Sequence, residues 1–299
     1  MTMPYCVKIG AVLNDSDQMK VANIIDETFH EVNTIYNKWN PDSELSKLNQ
    51  AKAATLIPLS KKLLTLLHLS GEIVSESQGF YDPTVEPLVR LWKRHLEEGN
   101  IPSDAAIESL QKEIGWNRFK FESGQFMKES DSLEIDLSGI AKGYAVDLIV
   151  ENLKKAGFHN VYVEWGGEIR ASGKHPDQRP WRVYIAQFED PDPDHALDIV
   201  DLDNSAIATS GNYLQTWQTA ESGISYTHIL NPKTGQMLQV TPDSICSVSV
   251  KAKTCALADG LATAAMLFNT QQEALVWVKQ IQERYPDTQF WIMTRRNRS

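Results

Sequence analysis

Asp259 and Thr263 lie four residues apart in Thr254 to Phe268, a run of small apolar residues whose spacing predicts a helix, so both side chains share one face. A carboxylate and a hydroxyl are hard oxygen donors, the kind Mg²⁺ selects when substrate phosphates complete its octahedron. A structural account fits the same pair: Asp259 favours the positive end of its helix and Thr263 bonds back to a carbonyl. A second candidate stretch is Glu134-Ile-Asp-Leu-Ser-Gly-Ile-Ala-Lys-Gly-Tyr-Ala-Val-Asp147. Ile135 and Leu137 alternate as in a half-buried strand, while Ala141, Ala145, Leu148, Ile149 and Leu153 recur at helical spacing, with Ser138 at the expected N-cap. A helix start offers unpaired N–H groups and about half a positive charge, which suits phosphate. Lys142 in that first turn is unfavourable unless an anion faces it, or unless it simply points into solvent. The glycines match neither the dinucleotide fingerprint nor the P-loop.

Other residues carry weaker signals. Asp82 precedes a proline in Phe80-Tyr-Asp-Pro-Thr-Val-Glu-Pro-Leu-Val89 and is held extended, so this segment can offer Tyr81 and Asp82 to a ligand. The loop Asn37 to Asn49 has Asn40-Pro41-Asp42 as a turn and Ser43 as a cap, and with Tyr36, Asn37 and Trp39 it could cover a flat ring, unless both aromatics are core. His228 alternates with Ile229 in a strand that leads to a turn at Gly235, and a lone histidine is more often structural than catalytic.

The chain that must position these groups has 299 residues, 42% hydrophobic and 23% charged, enough for one large domain or two ordinary ones. A net charge of -10 and a pI near 5.2 argue against general nucleic-acid binding, so any anion site must be local. Cys6, Cys246 and Cys255 show no metal spacing and allow at most one bridge. No apolar run reaches about 18 residues, and Met1 to Asp17 lacks signal-peptide character. The chain is therefore expected to be cytoplasmic, or to have lost an export segment.

Periodicity predicts an opening strand over Tyr5 to Leu13 and a helix with Val21, Ile24, Ile25, Phe29, Val32, Ile35 and Tyr36 on one face. Further helices are expected over Ser60 to Ser77 (Leu63, Leu64, Leu67, Leu69 and Ile73 inward), Leu88 to Glu97, Asp104 to Ile114 and Thr270 to Arg284. Phe119 to Met127 and Ser132 to Leu137 read as a strand pair, and Leu197 to Leu202 with Ala206 to Thr209 as a hairpin around Asp203-Asn204. Strands are also expected over Asn160 to Val163, Trp181 to Gln187, Ile245 to Val250 and Gln289 to Met293, with Phe188 to Ala196 as a loop. Glu168 and Arg170, flanking Ile169 after a double glycine, read as solvent-facing.

Together, Gly79-Phe-Tyr-Asp-Pro-Thr-Val-Glu-Pro-Leu, Asp136-Leu-Ser-Gly-Ile-Ala-Lys-Gly-Tyr-Ala-Val-Asp, Gly166-Gly-Glu-Ile-Arg-Ala-Ser-Gly, Ala206-Ile-Ala-Thr-Ser-Gly-Asn-Tyr, His228-Ile-Leu-Asn-Pro-Lys-Thr-Gly and Ala258-Asp-Gly-Leu-Ala-Thr-Ala strongly resemble the ApbE family, the FAD:protein FMN transferases. The motifs follow the family's order over about residues 37 to 268, with Pro41-Asp-Ser-Glu-Leu-Ser-Lys-Leu-Asn49 as a further match. The resemblance implies an α+β fold related to the T-fold, a mixed or antiparallel sheet with packed helices. It is expected as a single domain with a helical part over about 20–115 and a sheet core over about 116–299.

The resemblance also implies FAD as substrate and Mg²⁺ as cofactor. Asp259, Thr263 and the Gly139 carbonyl match the metal ligands. Tyr36, Phe80, Tyr81, Asp82, Asp136, Lys142 and Leu230 match flavin-nucleotide contacts. The implied reaction transfers FMN from FAD to a threonine of an acceptor protein, such as subunits of the sodium-pumping NADH:quinone reductase or related electron-transfer complexes, and releases AMP. His228 is the candidate for taking the hydroxyl proton. Alternatives on the same site are a FAD pyrophosphatase and a flavin carrier without turnover. By the family's habit, the chain works outside the cytoplasm if an export signal was trimmed.

Overall fold

The computed structural model describes residues 3–122, 124–187, 190, 192–212, 216–220 and 222–296. Its centre is an antiparallel sheet of six strands: β1 (Tyr5–Ile9), β5 (Val161–Trp165), β6 (Glu168–Ser172), β9 (Ala206–Gly211), β13 (Ile245–Ala252) and β14 (Gln289–Thr294), in that spatial order. Helices α6 (Ala141–Lys155) and α7 (Cys255–Ala265) pack on one face of it. The ribbon β7 (Trp181–Ile185) with β8 (Asp198–Leu202) lies towards the other, where Trp181, Val183 and Leu202 join Tyr162, Ala171 and Ile207 in a separate cluster. Alternation along β6 follows from this sandwiching: Ile169 and Ala171 meet the ribbon, while Glu168 and Arg170 bond to α6 side chains.

Around this centre, α1 (Asp15–Glu31) runs into one π-helical turn, Val32–Tyr36, and α2 (Glu44–Gln50) follows, capped by Ser43. The helix α3 (Lys61–Glu76), capped by Ser60, buries Leu63, Leu66, Leu67 and Ile73, so Leu66 takes an inward place assigned from sequence to Leu64. Next come α4 (Glu86–Glu97) and α5 (Asp104–Gln111), while α8 (Gln271–Arg284) precedes β14. Two small sheets complete the fold: β2 (Ile57–Pro58), β4 (Gln125–Lys128) and β3 (Phe119–Glu122), then β10 (Thr216–Gln218), β11 (Ser225–Asn231) and β12 (Gln236–Gln239). Since β1 pairs with β5, the main sheet draws on the chain's first residues as well as its second half.

Two expected strand pairs are replaced. Leu197 to Leu202 and Ala206 to Thr209 do not pair with each other; β8 pairs with β7, whereas β9 enters the main sheet between β6 and β13. Asn204, at φ 47°, makes the corner between them. Phe119–Glu122 instead pairs with Gln125–Lys128; Ser132 lies in a turn, and Leu133 to Leu137 forms no strand and pairs with none among the described residues. A side chain does the strand's work there: Asn49 accepts from Ile135 N–H at 2.8 Å and donates to Ile135 C=O at 2.9 Å. Lys128, fully buried, donates to the carbonyls of Asn49, Asp131 and Leu133 at 2.7, 3.1 and 2.9 Å and closes the same corner. Phe188 in the expected loop and Tyr213 in the matched motif lie outside the described residues.

Candidate functional site

The extended segment ending at Leu137 delivers Asp136 to Gly139 against α7. Asp136 Oδ1 accepts from Ser138 N–H at 2.9 Å and from the Ser138 hydroxyl, so Ser138 closes a local turn. The N-cap of α6 is Ile140 instead, which has no side-chain oxygen to offer. The backbone amides of Ile140 and Ala141 turn back to Leu137 C=O at 3.0 and 2.8 Å. Gly143 N–H goes to Asp259 Oδ2 at 3.0 Å. The expected open cradle of helix-start amides is therefore largely occupied from within, and the cation that this first turn carries is the Lys142 side chain.

Asp259 and Thr263 do share a face of α7, and Gly139 meets it. The Thr263 hydroxyl lies 3.3 Å from Gly139 C=O and 3.3 Å from Ser210 Oγ, and Asp259, only 3% exposed, stands one turn away. A Cβ on Gly139 would sit 3.0 Å from Thr263 Oγ1 and 3.2 Å from the Tyr81 ring, so glycine lets the carbonyl reach the hydroxyl. A carboxylate, a hydroxyl and a carbonyl form an all-oxygen donor set suited to Mg²⁺. Burial pushes the Asp259 carboxyl up to about 6 and nearby Asp147 adds to it, against the pull of Lys142 and the Gly143 amide, so a divalent cation would relieve a strained charge. The residues present fit the metal.

Lys142 is committed inward. Its Nζ lies 2.5 Å from Glu168 Oε1, and Glu168 is fully buried, which corrects the solvent-facing expectation for this strand. Burial first, and then Asp259, push the Glu168 carboxyl up to about 8, with Lys142 opposing. Burial alone would lower the Lys142 ammonium, but Glu168 and Asp259 more than offset that and raise it. Arg170, likewise expected outside, bridges Asp147 at 2.8 Å and Glu151 at 2.7 Å.

The remaining residues divide by exposure. Tyr36 is 4% exposed, with its hydroxyl buried and its ring edge-on to Tyr144 at 5.5 Å, so it packs in the core. Trp39 is the aromatic of that loop left open, 77% exposed, with Lys38 Nζ 4.7 Å from its ring centre. Lys38 in turn bridges Glu86 at 2.8 Å and Asp136 at 2.7 Å, fastening the loop to the Asp136 turn. Tyr81 is buried beside Gly139. Asp82 Oδ1 holds Thr84 through its N–H at 2.9 Å and its hydroxyl at 2.7 Å. Phe80 stacks on Phe268 at 4.2 Å under Lys233 Nζ at 3.9 Å. His228 is half-buried on β11, and Leu230 on the same strand is buried in the cluster around Trp92 and Ile107. The structure thus gathers Gly139, Asp259, Thr263, Lys142 and Tyr81 into one site, edged by Asp136. It leaves Tyr36 and Leu230 in the core.

Comparison with known proteins sharpens the reading. The model of the ApbE family matches residues 1–286. The chain is 40% identical over 282 residues to the FAD:protein FMN transferase of Chlamydia pneumoniae, covering 94% of this chain and 86% of that one. It is 33% identical over 276 residues to the enzyme of the same name from Vibrio cholerae, with 91% and 80% covered. Among solved structures, the apo flavinyl transferase ApbE of Pseudomonas stutzeri superposes with a TM-score of 0.81 at 26% identity, covering 97% of this chain and 87% of that one. The Vibrio cholerae flavin transferase ApbE gives 0.80 at 29% identity, with 98% and 91% covered.

Proposed function

This chain belongs to the ApbE family, and from that premise we propose that it transfers FMN from FAD to a threonine of an acceptor protein, releasing AMP. The observation that carries the reading is the contact of Gly139 C=O with Thr263 Oγ1, one helical turn from buried Asp259, with the ion-paired cation Lys142 on the facing helix. Oxygen donors with a cation beside them suit a diphosphate accompanied by a divalent cation. Relatives named FAD:protein FMN transferase support the flavin donor and the protein acceptor.

The acceptor hydroxyl forms a bond to the FMN-side phosphorus, and the bond from that phosphorus to the bridging oxygen breaks, leaving AMP with the electron pair. Asp259, Thr263 and Gly139 would hold Mg²⁺, which supplies charge neutralisation to the diphosphate. Lys142 places a full positive charge where phosphate oxygens gain negative charge, the task assigned from sequence to helix-start amides. Trp39 offers the exposed aromatic surface for the isoalloxazine ring, in place of Tyr36. His228, half-buried on β11, is the candidate for taking the hydroxyl proton. The acceptor class follows from the family resemblance, a subunit of a membrane electron-transfer complex such as the sodium-pumping NADH:quinone reductase; the enzyme would work outside the cytoplasm if an export signal was trimmed, and in the cytoplasm otherwise.

Incubation with FAD, Mg²⁺ and an acceptor domain tests the reading through an FMN-sized mass gain on the acceptor and release of AMP. Free FMN and AMP without labelling would make water the nucleophile; FAD bound and unchanged would make the chain a carrier.

A further inference from the structure

We propose that Glu168 is a positioning residue for flavin-nucleotide binding, acting by anchoring the Lys142 ammonium at the start of α6. The proposal rests on the reading of Lys142 as a phosphate contact. Lysine carries its charge on a four-carbon stem with much rotamer freedom, and at a helix start the dipole pushes it away. Something must hold it. Glu168 Oε1 does so at 2.5 Å from a fully buried position, while Lys142 remains 33% exposed at its side chain. The ammonium has three N–H groups, so this bond leaves two for phosphate oxygens.

The rest of the local structure is built to deliver this carboxylate. Gly166 and Gly167, at φ 64° and 99°, reverse the chain in two residues, and Glu168 then opens β6 opposite Trp165. A Cβ on Gly166 would lie 3.4 Å from Glu168 Oε2, so the turn closes directly over the carboxylate. Oε2 is buried and has no hydrogen-bond partner beyond its own residue's backbone. A buried carboxylate with one oxygen bare is a poor stabilising device, because its desolvation is only partly offset by one ion pair. Its use lies in where it keeps the cation.

The test is a double-mutant cycle on FAD affinity in Mg²⁺, with thermal melting of each variant. Glu168→Gln and Lys142→Gln should each raise the Kd about 10-fold, and the double variant should exceed Lys142→Gln by no more than about 2-fold. Glu168→Asp, which keeps the charge with a shorter reach, should lose about 3-fold when Lys142 is present and nothing when it is Gln. Multiplying losses, or wild-type affinity in Glu168→Gln, would overturn the proposal. Should Glu168→Gln not fold, Glu168→Asp decides: equal losses with and without Lys142 overturn it. An unchanged Kd in Lys142→Gln would instead overturn the phosphate reading of Lys142, and this proposal with it.

Discussion

Asp147 and Asp259 cap each other's helices. Asp147 on α6 accepts from Cys255 N–H at 2.8 Å and Ala256 N–H at 2.9 Å, the first two amides of α7. Asp259 on α7 accepts from Gly143 N–H at 3.0 Å, in the first turn of α6. Each carboxylate sits at the positive end of its neighbour's dipole, so the two helix starts are locked as a pair. The Asp259 oxygens therefore hold their place relative to Gly139 through backbone bonds on both helices.

Removal of the first half of this exchange should be costly. Asp147→Ala leaves two buried amides without acceptors and strands Arg170 with Glu151 alone. Loss of about 3 to 5 kcal/mol in urea unfolding is expected, the range for breaking a buried charge network from one side. A loss under about 1 kcal/mol would mean that the α7 start finds other partners.

Gly143 allows the helices to approach closely enough for the exchange. A Cβ there would lie 2.7 Å from the Cys255 carbonyl carbon and 2.9 Å from Ala256 N, both backbone atoms that cannot swing aside. Alanine gains up to about 1 kcal/mol of helix propensity over glycine, but overpacking against backbone costs about 1 to 3 kcal/mol or more, so Gly143→Ala should destabilise. It should also weaken Mg²⁺ binding measured by calorimetry, because α7 must move away from Gly139.

Lys128→Met tests the support behind the Asp136 turn. The substitution keeps most of the side-chain volume and strips three carbonyls of their shared donor. At about 1 kcal/mol or more for each unsatisfied group, a loss near 3 kcal/mol is expected by chemical denaturation. Wild-type stability would show that water replaces the ammonium.

Trp39→Ala separates ring binding from folding. The indole is mostly in solvent, so stability should change by less than about 0.5 kcal/mol. FAD affinity should fall about 10-fold, the loss of a stacking contact worth about 1.4 kcal/mol. Unchanged FAD affinity would remove Trp39 from the site.

The pH response of the proposed metal site has a definite sign. With its carboxyl raised from 3.8 to about 6, folded Asp259 keeps a proton through a window in which the unfolded chain has released it. Without divalent cation, this group's contribution to stability is greatest below the lower value and declines as pH rises to about 6. Mg²⁺ needs the ionised form, so its apparent affinity should be level above about pH 6 and drop up to about tenfold per unit below it. Titration calorimetry at several pH values checks this; an affinity that does not vary with pH would exclude Asp259 as a ligand.

The sequence was most legible where one element carries the whole signal. Four-residue spacing put Asp259 and Thr263 on one helical face, and the serine cap at Ser43 marked a helix start. It was least legible where partners come from distant segments. Alternation correctly separated Glu168 and Arg170 from Ile169, but nothing local says that the polar side of β6 meets α6 instead of water. The mutual capping by Asp147 and Asp259 spans more than a hundred residues, as does the Thr263 contact with Gly139. Ser138 looked like a cap because composition cannot tell a turn-closing serine from a helix-capping one. Tyr36 and Trp39 are three residues apart, yet Tyr36 closes the π-helical turn inside the core while Trp39 lies beyond it in solvent.

The most direct test of the central claim compares wild type and Asp259→Ala, each incubated with FAD, Mg²⁺ and an acceptor domain bearing a candidate threonine, by intact mass and nucleotide separation. The account predicts an FMN-sized gain on the acceptor with AMP released by the wild type, and loss of both in the variant. An acceptor labelled equally by both proteins would contradict it.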